Sequence, residues 1–158
     1  PDGSIPQEMK DLLLEMGAWL NVNGEAIYTT RPWTIFGEGP TRLPEGGHKV
    51  EKYKMAYTNK DIRFTKKSDT EFFAIVLDKP ENEIVIKSLS TEIGVLNSKI
   101  EKINLLGSDE EIKWERNERG LVIKVPKSLK SNEAYAFKIN MEGYTENNIG
   151  GAIENHID

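Results

Sequence analysis

Glu38, set between two glycines in Phe36-Gly37-Glu38-Gly39-Pro40, is the acidic residue best placed to do chemistry, because flanking glycines let a backbone approach a ligand closely. Two carboxyl groups held about 5–5.5 Å apart, or roughly 6.5–9.5 Å apart, carry out retaining or inverting glycoside hydrolysis. The chain has 26 acidic residues, so pairs arise by chance, and none lies in an apolar sequence context that would raise a carboxyl pKa. The favoured reading of Glu38 is therefore a turn residue in a linker.

The three tryptophans offer a different chemistry, stacking on sugar rings. Trp19 flanks an apolar helical stripe and Trp114 alternates with Ile112, so both are expected to bury their rings. Trp33, after Arg31-Pro32, either lines a ligand cleft or packs a linker against a neighbouring domain. Trp33 and Glu38 are thus the weak substrate-binding candidates, and the sequence assigns no catalytic residue.

His48 follows Gly46-Gly47 without an accompanying serine or carboxylate motif and reads as a surface loop histidine. His156, the only other histidine, stands far from it, which excludes a histidine-rich metal cluster. With no cysteine, thiolate zinc sites, disulfide frameworks and cysteine nucleophiles are excluded as well. No GxSxG, Walker-type loop or HExxH occurs. Neither a metal nor a cofactor is expected.

A net charge of −5 with interleaved signs repels a polyanion, so nucleic acid is not an expected partner. No apolar run approaches the roughly 20 residues that cross a bilayer. The chain begins at Pro1, without Met or a signal-like leader, so the natural start is expected upstream.

The elements that would position these residues fall into four stretches. Ser4 and Gln7 have capping-box spacing with Pro6 in the first turn, and Met9, Leu12, Leu13, Met16 and Leu20 recur as one apolar stripe. This predicts a helix from about Ser4 to Leu20, within a unit of residues 1–25, ended by Asn21, Asn23 and Gly24 in left-handed conformations. Such a stripe needs a partner surface. Residues 26–58, broken by Pro32, Pro40, Pro44 and several glycines, read as a linker.

From residue 59 to 141 the period changes to two. Runs at Ile62–Thr65, Phe72–Leu77, Glu83–Ser88, Lys99–Leu106, Ile112–Arg116, Leu121–Val125 and Ala134–Asn140 are separated by turn residues. The fold class is mainly β, an antiparallel sandwich of about seven to eight strands behind one amphipathic helix. Residues 142–158 read as a flexible tail.

Particular stretches resemble a family. The opening Pro1-Asp2-Gly3-Ser4-Ile5-Pro6, the helix ending Met16-Gly17-Ala18-Trp19-Leu20, and Val22-Asn23-Gly24-Glu25-Ala26-Ile27-Tyr28 leading to Arg31-Pro32-Trp33 resemble the segment that closes the barrel in family 29 α-L-fucosidases. The resemblance continues through Phe36–Pro40, Lys60–Thr65, Ala74–Leu77, Leu105–Ser108 and Gly120–Ile123. Thr30 and Ser68 stand where the family often has glycine, which touches turns only.

The resemblance implies an upstream (β/α) barrel, before Pro1, that removes terminal α-L-fucose with retention through an aspartate nucleophile and a carboxylic acid–base. No position here matches those residues, so this chain is expected to be a noncatalytic fragment whose sandwich supports the barrel. Its expected partner is that barrel, and the helix is the barrel's last. The resemblance also implies a secreted, periplasmic or lysosomal location. The alternative is an autonomous carbohydrate-binding sandwich for fucosylated glycans, and an uncovered helix stripe would favour self-association.

Overall fold

The computed structural model describes residues 3–41, 56–129 and 134–143. It opens with α1, Gln7–Asn23, followed by a single 3-10 turn, Gly24–Ala26. Eight strands follow: β1 Arg31–Glu38, β2 Ile62–Lys66, β3 Glu71–Val76, β4 Glu83–Ile86, β5 Ile100–Leu105, β6 Trp114–Asn117, β7 Gly120–Lys124 and β8 Tyr135–Met141. They form a five-stranded sheet in the order β1-β2-β3-β8-β5 and a three-stranded sheet in the order β4-β7-β6, every pair antiparallel. The fold is the mainly β sandwich that the period-two runs predict, and each of the seven runs overlaps a strand. His48, His156 and nearly all of the tail lie outside the described residues.

The eighth strand, β1, falls in the stretch read as a linker. Its inward residues are Trp33, Ile35 and Glu38, two apart and then three apart. The pairing register with β2 shifts between Pro32 and Gly37, and that irregularity breaks the alternation by which a strand is recognised. β1 is also an edge strand, the place in a sheet where Pro32 costs least.

The core lies between the sheets. Phe64, Phe72, Phe137, Ile139, Ile84, Ile86, Leu121 and Ile123 are almost wholly buried there. β3 is apolar on both faces because both are covered. Phe72, Ala74 and Val76 point into the sandwich, whereas Phe73 and Ile75 join Ala26 and Ala136 in a second cluster on the outer side. Trp19, at the C-terminal end of α1, packs on that cluster and donates its indole N–H to the Ala134 carbonyl at 2.8 Å. The helix is thereby fastened at one end to the outer face of the five-stranded sheet.

The ends of α1 differ from the sequence expectation. Its N-cap is Pro6, with no side-chain cap hydrogen bond, so Ser4 stands two residues too early to close the box. Gln7 instead donates to Asp11 at 2.7 Å. At the other end Gly24 is right-handed, because the chain tightens into the 3-10 turn rather than reversing. Glycine is needed there for space: a Cβ would lie 2.6 Å from the Tyr28 ring.

Candidate functional site

The Glu38 carboxylate closes one end of the sandwich, where β1 meets the turn after β4. One carboxylate oxygen accepts the Lys87 N–H at 2.8 Å, and the other accepts the Ser88 N–H at 2.7 Å and the Ser88 hydroxyl. Glu38 is only 8% exposed. Burial pushes its carboxyl above the ordinary range, although the Ser88 and Lys87 donors pull the other way. This corrects the expectation that no acidic residue sits in surroundings that raise a carboxyl pKa. The burial comes from contacts 49 and 50 residues away, which local sequence context does not register.

Beside Glu38 lies Asp61, also buried. Burial alone would raise its carboxyl, but the N–H and hydroxyl groups of Thr58 and Thr41 all donate to it, at 2.7–3.0 Å, and hold it below the ordinary range. Gly39 makes the approach feasible. Its φ is +133°, and a Cβ would fall 2.5 Å from an Asp61 carboxylate oxygen. Glycine beside Glu38 therefore serves the packing of one acidic residue against another's loop.

Glu38, Gly39, Lys60, Glu81, Glu83 and Lys87 are among the residues that line an open cleft of ≈ 670 Å³. Glu83, the other fixed carboxylate there, is engaged by Arg119 at 2.6 Å and by Lys124 at 3.5 Å. Both oxygens of Glu38 are occupied by the chain's own donors, which makes its arrangement that of a clamp between the sheets. No cluster of three or more metal-binding side chains occurs among the described residues.

Trp33, the other candidate, is 5% exposed and lies edge-on to Phe64 and Phe72, with ring centroids 5.5 and 4.7 Å apart. Its ring is part of the sandwich core. Trp114 packs partly buried against the same core, and Trp19 is half-buried beneath α1. The structure thus places Trp33 and Glu38 on the same strand and both inside the fold.

A charged network that single-sequence reasoning missed ties the turn after α1 to the sheet. Lys138 on β8 contacts Glu71 at 2.6 Å and Glu25 at 2.7 Å, and Lys67 reaches Glu25 at 3.0 Å. Burial opposes the charge on Lys138, but the two carboxylates outweigh it and raise its pKa. The same ammonium partners hold Glu25 and Glu71 below the ordinary range. These residues lie up to 113 positions apart and carry no motif.

Comparison with known proteins places this geometry. Residues 56–140 match the family model described as the alpha-L-fucosidase C-terminal domain. The tissue alpha-L-fucosidase of Homo sapiens is 32% identical over 126 residues, which cover 79% of this chain and 22% of the human protein. The alpha-L-fucosidase of Branchiostoma floridae is 31% identical over 147 residues, 90% of this chain and 27% of that protein. Among solved structures, the Thermotoga maritima alpha-fucosidase in complex with a mechanism-based inhibitor superposes with a TM-score of 0.63 at 28% identity, over 88% of this chain and 28% of that one. A Bacteroides thetaiotaomicron family 29 enzyme, 19% identical with a TM-score of 0.60, shares the fold. The chain spans about a quarter of the length of these relatives. It belongs to the alpha-L-fucosidase C-terminal domain family.

Proposed function

We propose that this chain is the noncatalytic C-terminal part of an α-L-fucosidase, a retaining glycoside hydrolase that releases terminal α-L-fucose from glycans. Its sandwich supports a catalytic barrel encoded upstream. In this reading residues 1–25 are the barrel's last helix, 26–58 the connection that lends β1 to the sandwich, 59–141 the sandwich proper and 142–158 a tail. The observation that carries it is the match to the C-terminal domain model over 56–140, alongside relatives of which the chain spans only 22–28%. The clamp-like engagement of Glu38 supports a structural rather than a catalytic role for the most tempting acidic residue. A secreted, periplasmic or lysosomal location fits, and one relative, 30% identical, is named plasma alpha-L-fucosidase, from Rattus norvegicus.

An aryl α-L-fucoside assay tests the proposal. The purified chain is expected to show no turnover, and the longer natural product is expected to show turnover in the ordinary enzyme range of about 1–10³ s⁻¹. Turnover at such rates by the 158-residue chain alone would place the active site here and sink the reading.

A further inference from the structure

Gly107, in the turn after β5, has φ +75°, and a Cβ there would fall 2.4 Å from Val22 Cγ1 on α1. The helix therefore sits close against that turn, and both residues line a pocket of ≈ 340 Å³. From α1 the pocket is lined by Glu15, Ala18 and Val22, which stand at least about 100° around the helix from Leu13 and Met16 of the apolar stripe. Pocket and stripe thus belong to different sides of the helix.

The pocket's walls are mainly apolar, and the polar groups on them are incompletely used. Val22, Leu105 and Leu129 supply aliphatic surface, and Trp19 has its indole N–H committed to the Ala134 carbonyl, which leaves the ring's apolar surface for the pocket. Asn23, 5% exposed, donates from its amide nitrogen to the Trp19 carbonyl at 3.1 Å, and among the described residues nothing donates to its Oδ1. No fully enclosed side-chain nitrogen or oxygen among those residues lacks a partner, so this oxygen reaches open space, and the pocket is a cavity that Asn23 lines. Ser108 Oγ accepts the Glu110 N–H at 3.1 Å and lies 2.6 Å from Ser128 Oγ. One of the two hydroxyl protons joins the serines, and the other is left for a ligand.

These groups select a class of ligand. Asn23 Oδ1 and the exposed Glu15 carboxylate call for ligand donors, the spare serine proton calls for an acceptor, and the walls call for C–H surface. Among the described residues no basic side chain lines the pocket, and Glu15 repels an anion. A neutral sugar combines hydroxyls along its edge with apolar C–H faces. The volume lies at the small end of the about 300–1,000 Å³ of ligand pockets, a size for one ring rather than a chain of them.

We propose that this pocket binds a single neutral sugar, and that the sugar is L-fucose, whose methyl group adds apolar surface for Val22, Leu105 and Leu129 to cover. The choice of fucose rests on the reading in the preceding subsection, under which the same polypeptide releases it; the class of ligand rests on the pocket.

NMR titration of the ¹⁵N-labelled chain tests this. L-Fucose should saturably shift the Trp19 indole N–H and the amides of Asn23, Gly107 and Ser128, with a dissociation constant of about 1–10 mM. D-Fucose, the mirror image, should not shift them, and L-galactose, with a hydroxymethyl in place of the methyl, should bind at least about threefold more weakly. Ala18→Phe, made at an exposed helix position, fills the pocket without touching the core and should abolish the shifts. Asn23→Ala should weaken binding about three- to tenfold. The same resonances should respond in the longer natural product. Absence of saturable shifts in either protein, equal shifts with D-fucose, or shifts that survive Ala18→Phe would overturn the site. L-Galactose binding as tightly as L-fucose would overturn the choice of sugar. Aryl α-L-fucoside hydrolysis by the longer protein without pocket shifts would remove the site and leave the functional reading standing. Pocket shifts without hydrolysis by the longer protein would support the site and remove that reading.

Discussion

Glu38 and Ser88, fifty residues apart, meet in a buried clamp: one carboxylate oxygen takes both the backbone N–H and the hydroxyl of Ser88, and the other takes the N–H of Lys87. The pair joins the last residue of β1, at the edge of one sheet, to the turn that follows β4 in the other. It links the two layers at that end of the sandwich through polar contacts, and it has a defined pH signature.

Because burial raises the Glu38 carboxyl, the folded chain holds a proton that the unfolded chain has already released over the interval above the ordinary carboxyl value. The contribution to stability is full below the unfolded value and is lost as pH rises through the folded one. Glu38→Gln removes the titration. It keeps a carbonyl for Lys87 but turns an amide N–H₂ toward the Ser88 N–H, at a cost of about 1–3 kcal/mol. Urea midpoints measured at stepped pH should show the advantage of the native protein over Glu38→Gln shrinking as pH rises through this interval. An advantage that grows with pH would contradict the assignment.

Asp61 should behave in the opposite sense. Its carboxyl is held below the ordinary range by the Thr41 and Thr58 donors, which overcome burial, so its contribution is present above the unfolded value and disappears as pH falls through the folded one. Asp61→Asn, which keeps one acceptor oxygen for four donors, should cost about 1–3 kcal/mol near neutrality. The gap to the native protein should close in acid. A gap independent of pH down to the unfolding region would show that the four donors do not favour the ionised form.

The strands were legible because β-branched and aromatic residues alternate between turn residues, and that pattern is local. β1 was not, because the register slip between Pro32 and Gly37 moves its inward positions from a spacing of two to a spacing of three. The α1 stripe was legible from spacing alone, whereas its cap was not: Pro6 occupies the cap position that the Ser4–Gln7 spacing suggested for Ser4. The roles of Glu38 and Trp33 depend on partners that only the folded chain brings near, Ser88 for one and Phe64 and Phe72 for the other. A tryptophan in a proline-flanked stretch has the same local signature whether it stacks on a sugar or fills a core. What separates the two is the bulged pairing that turns its strand inward.

Arg116 on β6 gives the last test, because it organises a segment that has no strand of its own. Its guanidinium donates to the carbonyls of Leu89, Ser90, Leu96 and Ser98, at 2.7, 3.2, 2.6 and 3.3 Å. Residues 89–98 lie in the connection from β4 to β5, and its apolar side chains Leu89, Val95 and Leu96 are buried in the core while its carbonyls converge on this one cation. Arg116→Met keeps much of the apolar stem and removes all the donors, leaving several carbonyls in partly buried surroundings. Hydrogen bonds from a charged group contribute about 1.5–3 kcal/mol, so a loss of at least that order is expected. Arg116→Lys should recover less than half of it, since an ammonium cannot span four acceptors with the planar fork of a guanidinium. Exchange should accelerate first in amides of 89–98 and leave β3 and β8 protected. If both variants instead lower protection uniformly, or if lysine restores full stability, Arg116 acts through general packing or charge and not as the organiser of this connection.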